Sequence, residues 1–238
     1  MYPRLEDLVE WLVPRVERVF IATNATLLNA QHVRLFKKNN IGCLASVRTC
    51  GEAEYRRLLE ASKSGVGVSV YHVLTKNSLP VLQSMSDRYF WAEKIRLLYA
   101  TFSEANGLPM LNVREWFELL QEASKYLAPI IKKVEVEMAF APVTNPYALD
   151  ARKGAIKRLY VDVDGLVYPC PLLVEKRNGK RGLEPRDCDV DRECPVLSRQ
   201  MPTPPGFRQV CPFLVVELEH IQRFLAQLDW TALVRRSP

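Results

Sequence analysis

Hydrophobic positions in the first third of the chain switch regularly between two spacings. Apolar residues at helical spacing predict three helices, over residues 4–17, 29–38 and 52–63, and Pro14 should end or kink the first of them. Short apolar runs between these segments are typical of buried parallel strands, at residues 19–23, 41–47 and 66–74. Gly65 is a stop signal for the third helix. Because strands and helices alternate with short joints, the pattern predicts an α/β fold built on a parallel sheet.

The middle of the chain continues with longer elements. Two helices are predicted over residues 86–105 and 114–128, and the alternating run Val134–Phe140 predicts another strand. Pro142 and Pro146 then mark a boundary. We therefore expect two domains, one over residues 1–145 and a second over residues 146–238.

The second domain differs from the first in composition and in hydrophobic periodicity. Residues 159–168 predict a hairpin whose tight turn is Asp164-Gly165. Residues 171–212 are rich in proline, glycine and charge and show little periodicity, so apolar side chains alone cannot give them a core. A helix follows, with an apolar face that begins at Val215 and ends at Leu228.

Composition and charge narrow the class of protein only slightly. The 238 residues are 48% hydrophobic and 25% charged, with a net charge of +6, which is ordinary for a globular protein. No apolar run approaches the roughly 18 residues that span a bilayer, and the start of the chain does not resemble a signal peptide, so we expect a cytoplasmic protein without a membrane partner. The basic stretch Lys176–Arg186 keeps nucleic acid as an alternative partner, although a solvated surface is the commoner explanation.

Cysteine supplies the candidate chemistry. Four of the six cysteines lie in the second domain: Cys170, Cys188, Cys194 and Cys211. Clustered cysteines in a cytoplasmic chain favour a metal over disulfides, and four thiolates suit either a [4Fe-4S] cluster or tetrahedral zinc. Their wide spacing favours iron–sulfur, as does the proline that follows three of them, with zinc and then disulfides or free thiols as alternatives. Cys43 and Cys50 are interpreted as buried thiols, with a disulfide as the alternative.

Three features of this region resemble the auxiliary-cluster domain of radical SAM enzymes of the SPASM/twitch type. In that family a glycine precedes the first hairpin cysteine with four residues between, as Gly165 precedes Cys170. A Cys-x5-Cys pair follows, as in Cys188 and Cys194, and Cys211 matches the closing cysteine. The resemblance implies that these four cysteines bind one iron–sulfur cluster.

The first half of the chain is similar to the barrel of the same enzymes. Residues Phe20–Leu28 resemble the third barrel strand, whose consensus is close to "isTNGtLL". Ile41–Val47 and Val66–Leu74 resemble the fourth and fifth strands. The resemblance covers roughly residues 5–215 and implies a partial (β/α) barrel of parallel strands, followed by a small Cys-rich cluster domain and a C-terminal helix.

The chain departs from the family where catalysis resides. It has no Cys-x3-Cys-x2-Cys loop to bind the catalytic cluster, and the glycine-rich stretch that contacts SAM is also absent. Pro185 and Ser198 stand where further auxiliary ligands would be expected, so one cluster is feasible and two are not. Radical SAM activity is therefore not expected from this chain alone, and its status as an enzyme stays open.

The resulting hypothesis is an iron–sulfur protein of the radical SAM type that lacks the SAM-cleaving site. It would act as an electron-transfer or structural accessory subunit, beside a protein partner or a second copy that covers the open barrel edge. The alternative is a module that binds nucleic acid or protein and in which the metal only stabilises the fold. A third option is an altered enzyme that uses His72 or Asn24 at the barrel mouth, although a packed strand histidine is the commoner fate of His72.

Overall fold

The computed structural model of the chain describes residues 4–47, 51–99, 111–142, 160–161, 167–168 and 207–227. Six α-helices lie in these ranges: α1 (Leu5–Leu12), α2 (Ala30–Lys38), α3 (Glu52–Lys63), α4 (Leu79–Tyr89), α5 (Val113–Leu127) and α6 (Leu218–Gln227). The same ranges contain eight strands: β1 (Phe20–Thr23), β2 (Gly42–Ser46), β3 (Val68–Leu74), β4 (Ile95–Tyr99), β5 (Val134–Pro142), β6 (Tyr160–Val161), β7 (Val167–Tyr168) and β8 (Phe207–Glu217). A 3₁₀ segment, Ala128–Lys133, joins α5 to β5.

Six of these strands form one mixed sheet, in the order β1-β2-β3-β4-β5-β8. Strands β1 to β5 are parallel neighbours in sequence order, and β8 adds to β5 in the antiparallel direction. Right-handed crossovers between strands in sequence order carry their helices to the same face of the sheet. The predicted α/β class is confirmed, whereas closure into part of a barrel stays a prediction.

The helix predicted over residues 86–105 is wrong. Helix α4 ends at Tyr89, and β4 occupies Ile95–Tyr99 within the same range. The helix begins earlier, at Leu79, with Pro80 in its first turn, where a missing N–H breaks no helical bond. Burial alternates along β4 with the period of a strand. A segment of five residues is too short for periodicity alone to separate a strand from a helix.

Two further expectations change at the ends of the sheet. The prediction that β1 is a buried strand is wrong, because β1 lies at one edge of the described sheet and Phe20 is 46% exposed. Strand β8 begins at Phe207, inside the stretch predicted to have little regular structure, and includes Val215, which was assigned to the last helix. That helix begins only at Leu218. An added partner strand explains the regular structure at β8, since β5 supplies the hydrogen bonds that sequence periodicity does not indicate.

Two helices end in the same backbone motif. After α2, the N–H of Asn40 bonds to the carbonyl of Lys37, and the N–H of Ile41 bonds to that of Phe36. After α3, Gly65 bonds in the same way to Ser62. Asn40 and Gly65 both have positive φ, 51° and 92°, which this Schellman motif requires. The predicted stop at Gly65 is confirmed.

The two faces of the sheet have different environments. Side chains on the covered face are buried in one core with the helices: Cys43, Ala45, Val70, His72, Ile95, Leu97 and Val136. Their neighbours along each strand point to the open face and are half-buried: Leu44, Ser46, Tyr71, Val73, Arg96, Leu98 and Glu135. The helices pack on the covered face through large side chains such as Phe36, Leu58, Leu82 and Trp116, each at most 1% exposed.

Helix α6 joins this core from the far end of the sequence. The Phe224 ring lies 5.9 Å from that of Phe117 on α5, and Ile221 and Leu225 are buried. The amide of Gln222 also donates to the carbonyl of Ser124, at 3.5 Å. Residues 207–227 therefore share the sheet and the core of the first half, while the predicted division near residue 145 stays a prediction.

Candidate functional site

The predicted cluster ligands are divided between described and undescribed parts of the chain. Cys170, Cys188 and Cys194 lie outside the described residues, and Cys211 lies on β8, where the structure describes the backbone. Among the residues whose side chains are described, no group of three or more His, Cys, Asp or Glu is placed to hold a metal ion. The four-cysteine centre therefore stays a prediction, with Cys211 anchored to the main sheet.

The hairpin predicted to precede Cys170 is confirmed. Strands β6 and β7 are antiparallel, with Tyr160 opposite Tyr168 and Val161 opposite Val167. Its predicted turn, Asp164-Gly165, lies outside the described residues. Because Cys170 follows the end of β7 by two residues, the hairpin fixes the backbone just before this predicted ligand.

Strand β8 is interrupted where it carries Cys211. The β5–β8 ladder runs from Glu135 opposite Glu217 to Met138 opposite Leu214, and resumes at Phe140 opposite Gln209. Four residues of β8, Val210–Phe213, therefore stand opposite the single residue Ala139 of β5. Pro212, inside this bulge, has no N–H to donate to a ladder. Bulges of this kind change the direction of a strand and of the side chains on it.

Cys43 is a core residue rather than a candidate ligand. It lies on β2 on the covered face, with 0% exposure and a free thiol. Burial raises the pKa of this thiol to about 11, so the thiolate that a metal requires is disfavoured there. The predicted buried thiol is confirmed at Cys43, and Cys50 lies outside the described residues.

The carboxyl end of β1 leads into a turn that its own side chains stabilise. The Thr23 hydroxyl accepts the N–H of Ala25 at 3.0 Å, and the Asn24 side chain accepts the N–H of Thr26 at 3.2 Å. Ala25 is fully buried with φ 63°, a conformation that costs a residue with a Cβ roughly 1–2 kcal/mol. From α3, the Arg57 guanidinium donates to the Thr26 carbonyl at 2.9 Å. The Asn24 side chain thus stabilises the turn.

His72 belongs to a buried polar cluster beside the core. Its Nε2 lies 2.8 Å from the hydroxyl of Ser78, which also accepts the N–H of Thr75 at 2.8 Å. All three residues are buried, at 3%, 1% and 8% exposure. The cluster closes the turn between β3 and α4. The packed-histidine interpretation of His72 is confirmed, and a role at the open face is excluded because its side chain is on the covered face.

The open face carries a row of polar side chains across neighbouring strands. Register pairs place Ser46 beside Tyr71, Tyr71 beside Arg96, and Arg96 beside Glu135. The Glu135 carboxylate lies 3.2 Å from Nε of Arg96 and 2.9 Å from Nζ of Lys94, and its side chain is only 17% exposed. Two cations on one carboxylate hold the charged side chains in place. The row thus places polar groups on the open face, where the ion pairs of Glu135 hold them in fixed positions.

Glu115 organises the carboxyl edge of the sheet near β4. Its carboxylate accepts the backbone N–H of Asn112 at 2.8 Å and lies 2.7 Å from Nζ of Lys76. The Lys76 hydrogen bond, opposed by partial desolvation and aided by the Asn112 N–H, lowers the pKa of Glu115. Nearby, the Tyr99 hydroxyl donates to the Leu111 carbonyl at 3.0 Å, and burial raises the pKa of Tyr99 to about 12. Both groups are structural anchors at neutral pH.

No protein-family model and no curated protein matches this chain. None of the helices in the described ranges is long and apolar enough to cross a membrane. The fold and the geometry of the site are therefore what bears on function.

Sequence reasoning missed the polar groups of the open face. Arg96 was assigned to a helix, and Glu135 was treated only as part of an alternating strand. The signal for the ion pair is the alternation of Glu135 and Glu137 with buried Val134 and Val136, which places charge on one face of the strand. The partner of Glu135 lies 39 residues away and depends on strand register.

Proposed function

We propose that the chain is an iron–sulfur protein of the radical SAM type that lacks the SAM-cleaving site and serves as an electron-transfer or structural accessory subunit. The observation that carries the proposal is the arrangement of the sheet. Five parallel strands follow sequence order, with helices packed on one face and a half-buried face opposite. A (β/α) barrel is built from the same repeat, continued until the sheet closes.

A backbone feature of the first strand supports the same proposal. The resemblance to the consensus "TNG" aligns its glycine with Ala25, and Ala25 has φ 63°. Glycine is the residue that adopts this conformation without cost, so a positive φ at Ala25 agrees with the glycine that the consensus has at this position.

The donor set fits the proposed group. Four cysteine thiolates are the usual ligands of a [4Fe-4S] cluster, and Cys170, Cys188, Cys194 and Cys211 would hold it. When bound, such a cluster supplies one-electron transfer at a potential set by its surroundings. The protein's part is to anchor Cys211 on the sheet through β8 and Cys170 beside the hairpin.

The edge at β1 supports an assembly. Strand β1 pairs with β2 alone in the described sheet, and it has neither charge nor proline to discourage further pairing. Phe20 on β1 and Leu8 and Trp11 on α1 are 46%, 40% and 57% exposed. We propose that a partner protein or a second copy covers this edge. Sedimentation velocity of Phe20→Lys beside wild type tests it, since an assembly through this edge would dissociate in the variant, and unchanged sedimentation would reject it.

The proposed function is tested on protein purified without oxygen. Iron and acid-labile sulfide are measured on wild type and on four single Cys→Ser variants, at Cys170, Cys188, Cys194 and Cys211. Each variant is expected to hold less iron and sulfide than wild type, because removal of one thiolate leaves one iron of the cubane without its protein ligand and makes the cluster labile. Cys43→Ala is the matched control, since this buried thiol lies outside the set and its removal should leave the iron content unchanged.

A measurement of the reduction potential on the same samples distinguishes an electron-transfer role from a structural role. A low-potential couple that appears on reduction with dithionite and disappears in the four variants supports electron transfer. One zinc and no sulfide per chain would reject the iron–sulfur proposal and favour a binding module that the zinc stabilises. The next measurement would then be nucleic-acid affinity at several salt concentrations, which should fall steeply as salt rises.

A further inference from the structure

The bulge on β8 has a size that pairing with β5 does not explain. An ordinary bulge places two residues opposite one, but here Val210–Phe213 places four residues opposite Ala139. The ladder is regular on both sides, through Gln209 and from Leu214 onward. The interruption is therefore local, and it coincides with the predicted ligand Cys211.

The interruption changes which backbone groups the ladder uses. A single residue of β5 cannot pair with four residues of β8, so the extra residues leave the ladder. Val210, Cys211 and Phe213 each carry an N–H, whereas Pro212 carries none. A backbone N–H that leaves a ladder needs another acceptor when it is removed from water.

We propose that the bulge Val210–Phe213 is a ligand loop, which lifts Cys211 out of the β5–β8 ladder and lets backbone N–H groups of Val210, Cys211 or Phe213 donate to cluster sulfur. The inference rests on the proposed function, since it needs the cluster as acceptor. Pro212 has a positioning role: its fixed φ stiffens the loop, and its missing N–H prevents the strand from closing across Cys211.

The chemistry of the cluster favours such a loop. Hydrogen bonds to thiolate and sulfide sulfur stabilise the reduced, more negative state and raise the reduction potential. Backbone donors suit this role because their positions are fixed by the chain rather than by a side-chain rotamer. The regular ladder on either side of the bulge would hold these donors in place.

Amide hydrogen exchange of the full chain tests the loop, with and without iron. Loading should slow exchange at one or more of Val210, Cys211 and Phe213 by about tenfold or more, because these N–H groups gain an acceptor. The amides of Val215 and Val216 in the regular ladder are the internal control and should change little. Unchanged exchange across the bulge in iron-loaded protein would overturn the inference.

A variant pair tests the part assigned to Pro212. Pro212→Ala should lose iron to a chelator about tenfold faster than wild type, a size common for groups that support metal ligands. Pro142→Ala is the matched control, because Pro142 lies in the same ladder opposite Phe207 and away from the bulge. Equal rates in Pro212→Ala and wild type would overturn the role of Pro212. A wild-type chain that takes up no iron would instead reject the proposed function, and the loop with it.

Discussion

The covered face and the open face of the sheet belong to the same strands but carry different kinds of residue. On β4, Leu97 is fully buried on the covered face, while Arg96 and Leu98 on either side of it are half-buried on the open face. On β3, His72 is enclosed by its turn, while Tyr71 beside it is half-buried. Residues that alternate along one strand therefore have different roles: those on the covered face form the core, and those on the open face are less constrained by packing.

Truncation of neighbouring leucines should separate the two faces most clearly. Leu97→Ala is expected to lower the free energy of unfolding by about 2–5 kcal/mol, because it leaves a cavity in a closed core. Leu98→Ala should cost less than about 1 kcal/mol, since its half-buried site can admit water. Equilibrium urea unfolding measures both, and equal losses would remove the distinction between the faces.

The next largest effect is expected on β3. His72→Ala should cost about 2–3 kcal/mol, because it removes buried volume and the 2.8 Å contact to the Ser78 hydroxyl. Tyr71→Phe on the open face should change stability by less than about 0.5 kcal/mol. Thermal unfolding of the two variants provides the comparison. A large loss of stability in Tyr71→Phe would show that the open face also stabilises the fold.

The ion pairs of the open face should contribute less than the core. Glu135→Gln is expected to cost about 1–2 kcal/mol, because a side chain with 17% exposure loses charge-assisted bonds to Lys94 and Arg96. Glu118→Gln is the control: its pair with Arg114 is close, at 2.7 Å, but both side chains are about half exposed, so less than about 0.5 kcal/mol is expected. Urea unfolding at low and high salt measures the free energy of unfolding of both variants. Equal losses in Glu135→Gln and Glu118→Gln would refute the expected order.

The smallest effect concerns Glu115, at the carboxyl edge of the sheet. Its pKa is lowered in the folded state, first by Lys76, so its contribution is present above the ordinary pKa of 4.5 and is lost as the pH falls through the folded value. Glu115→Gln should therefore be less stable than wild type at neutral pH, and the difference should shrink as the pH falls through the folded pKa of Glu115. Unfolding curves measured from neutral to acid pH give this difference in stability, and a difference independent of pH would contradict the linkage.

The sequence predicts the first half of the fold well because local signals agree there with the tertiary structure. Gly65 ends α3 as expected, and Asn29 caps α2 through the N–H groups of Gln31 and His32. Strands β2 and β3 were predicted because both are short apolar runs between such signals. In these places the residue types that favour an element are also the ones that the packing requires.

Prediction failed where a distant strand decides the structure. Strand β4 has only five residues, four of them apolar, and its pairing with β3 and β5 separates it from a helix. Strand β8 contains a Cys-Pro pair and forms against β5 despite it, by means of the bulge. The Arg96–Glu135 ion pair likewise depends on register. The cysteine site was predicted from composition and resemblance, and those signals carry ligand types but no geometry.

Native mass spectrometry of protein prepared without oxygen tests whether four cysteines of this chain hold one [4Fe-4S] cluster. We expect a mass increment of four irons and four sulfides per chain, absent from a Cys211→Ser variant and retained in Cys43→Ala. A wild-type mass equal to that of the bare chain, or raised by a single zinc, would contradict the claim.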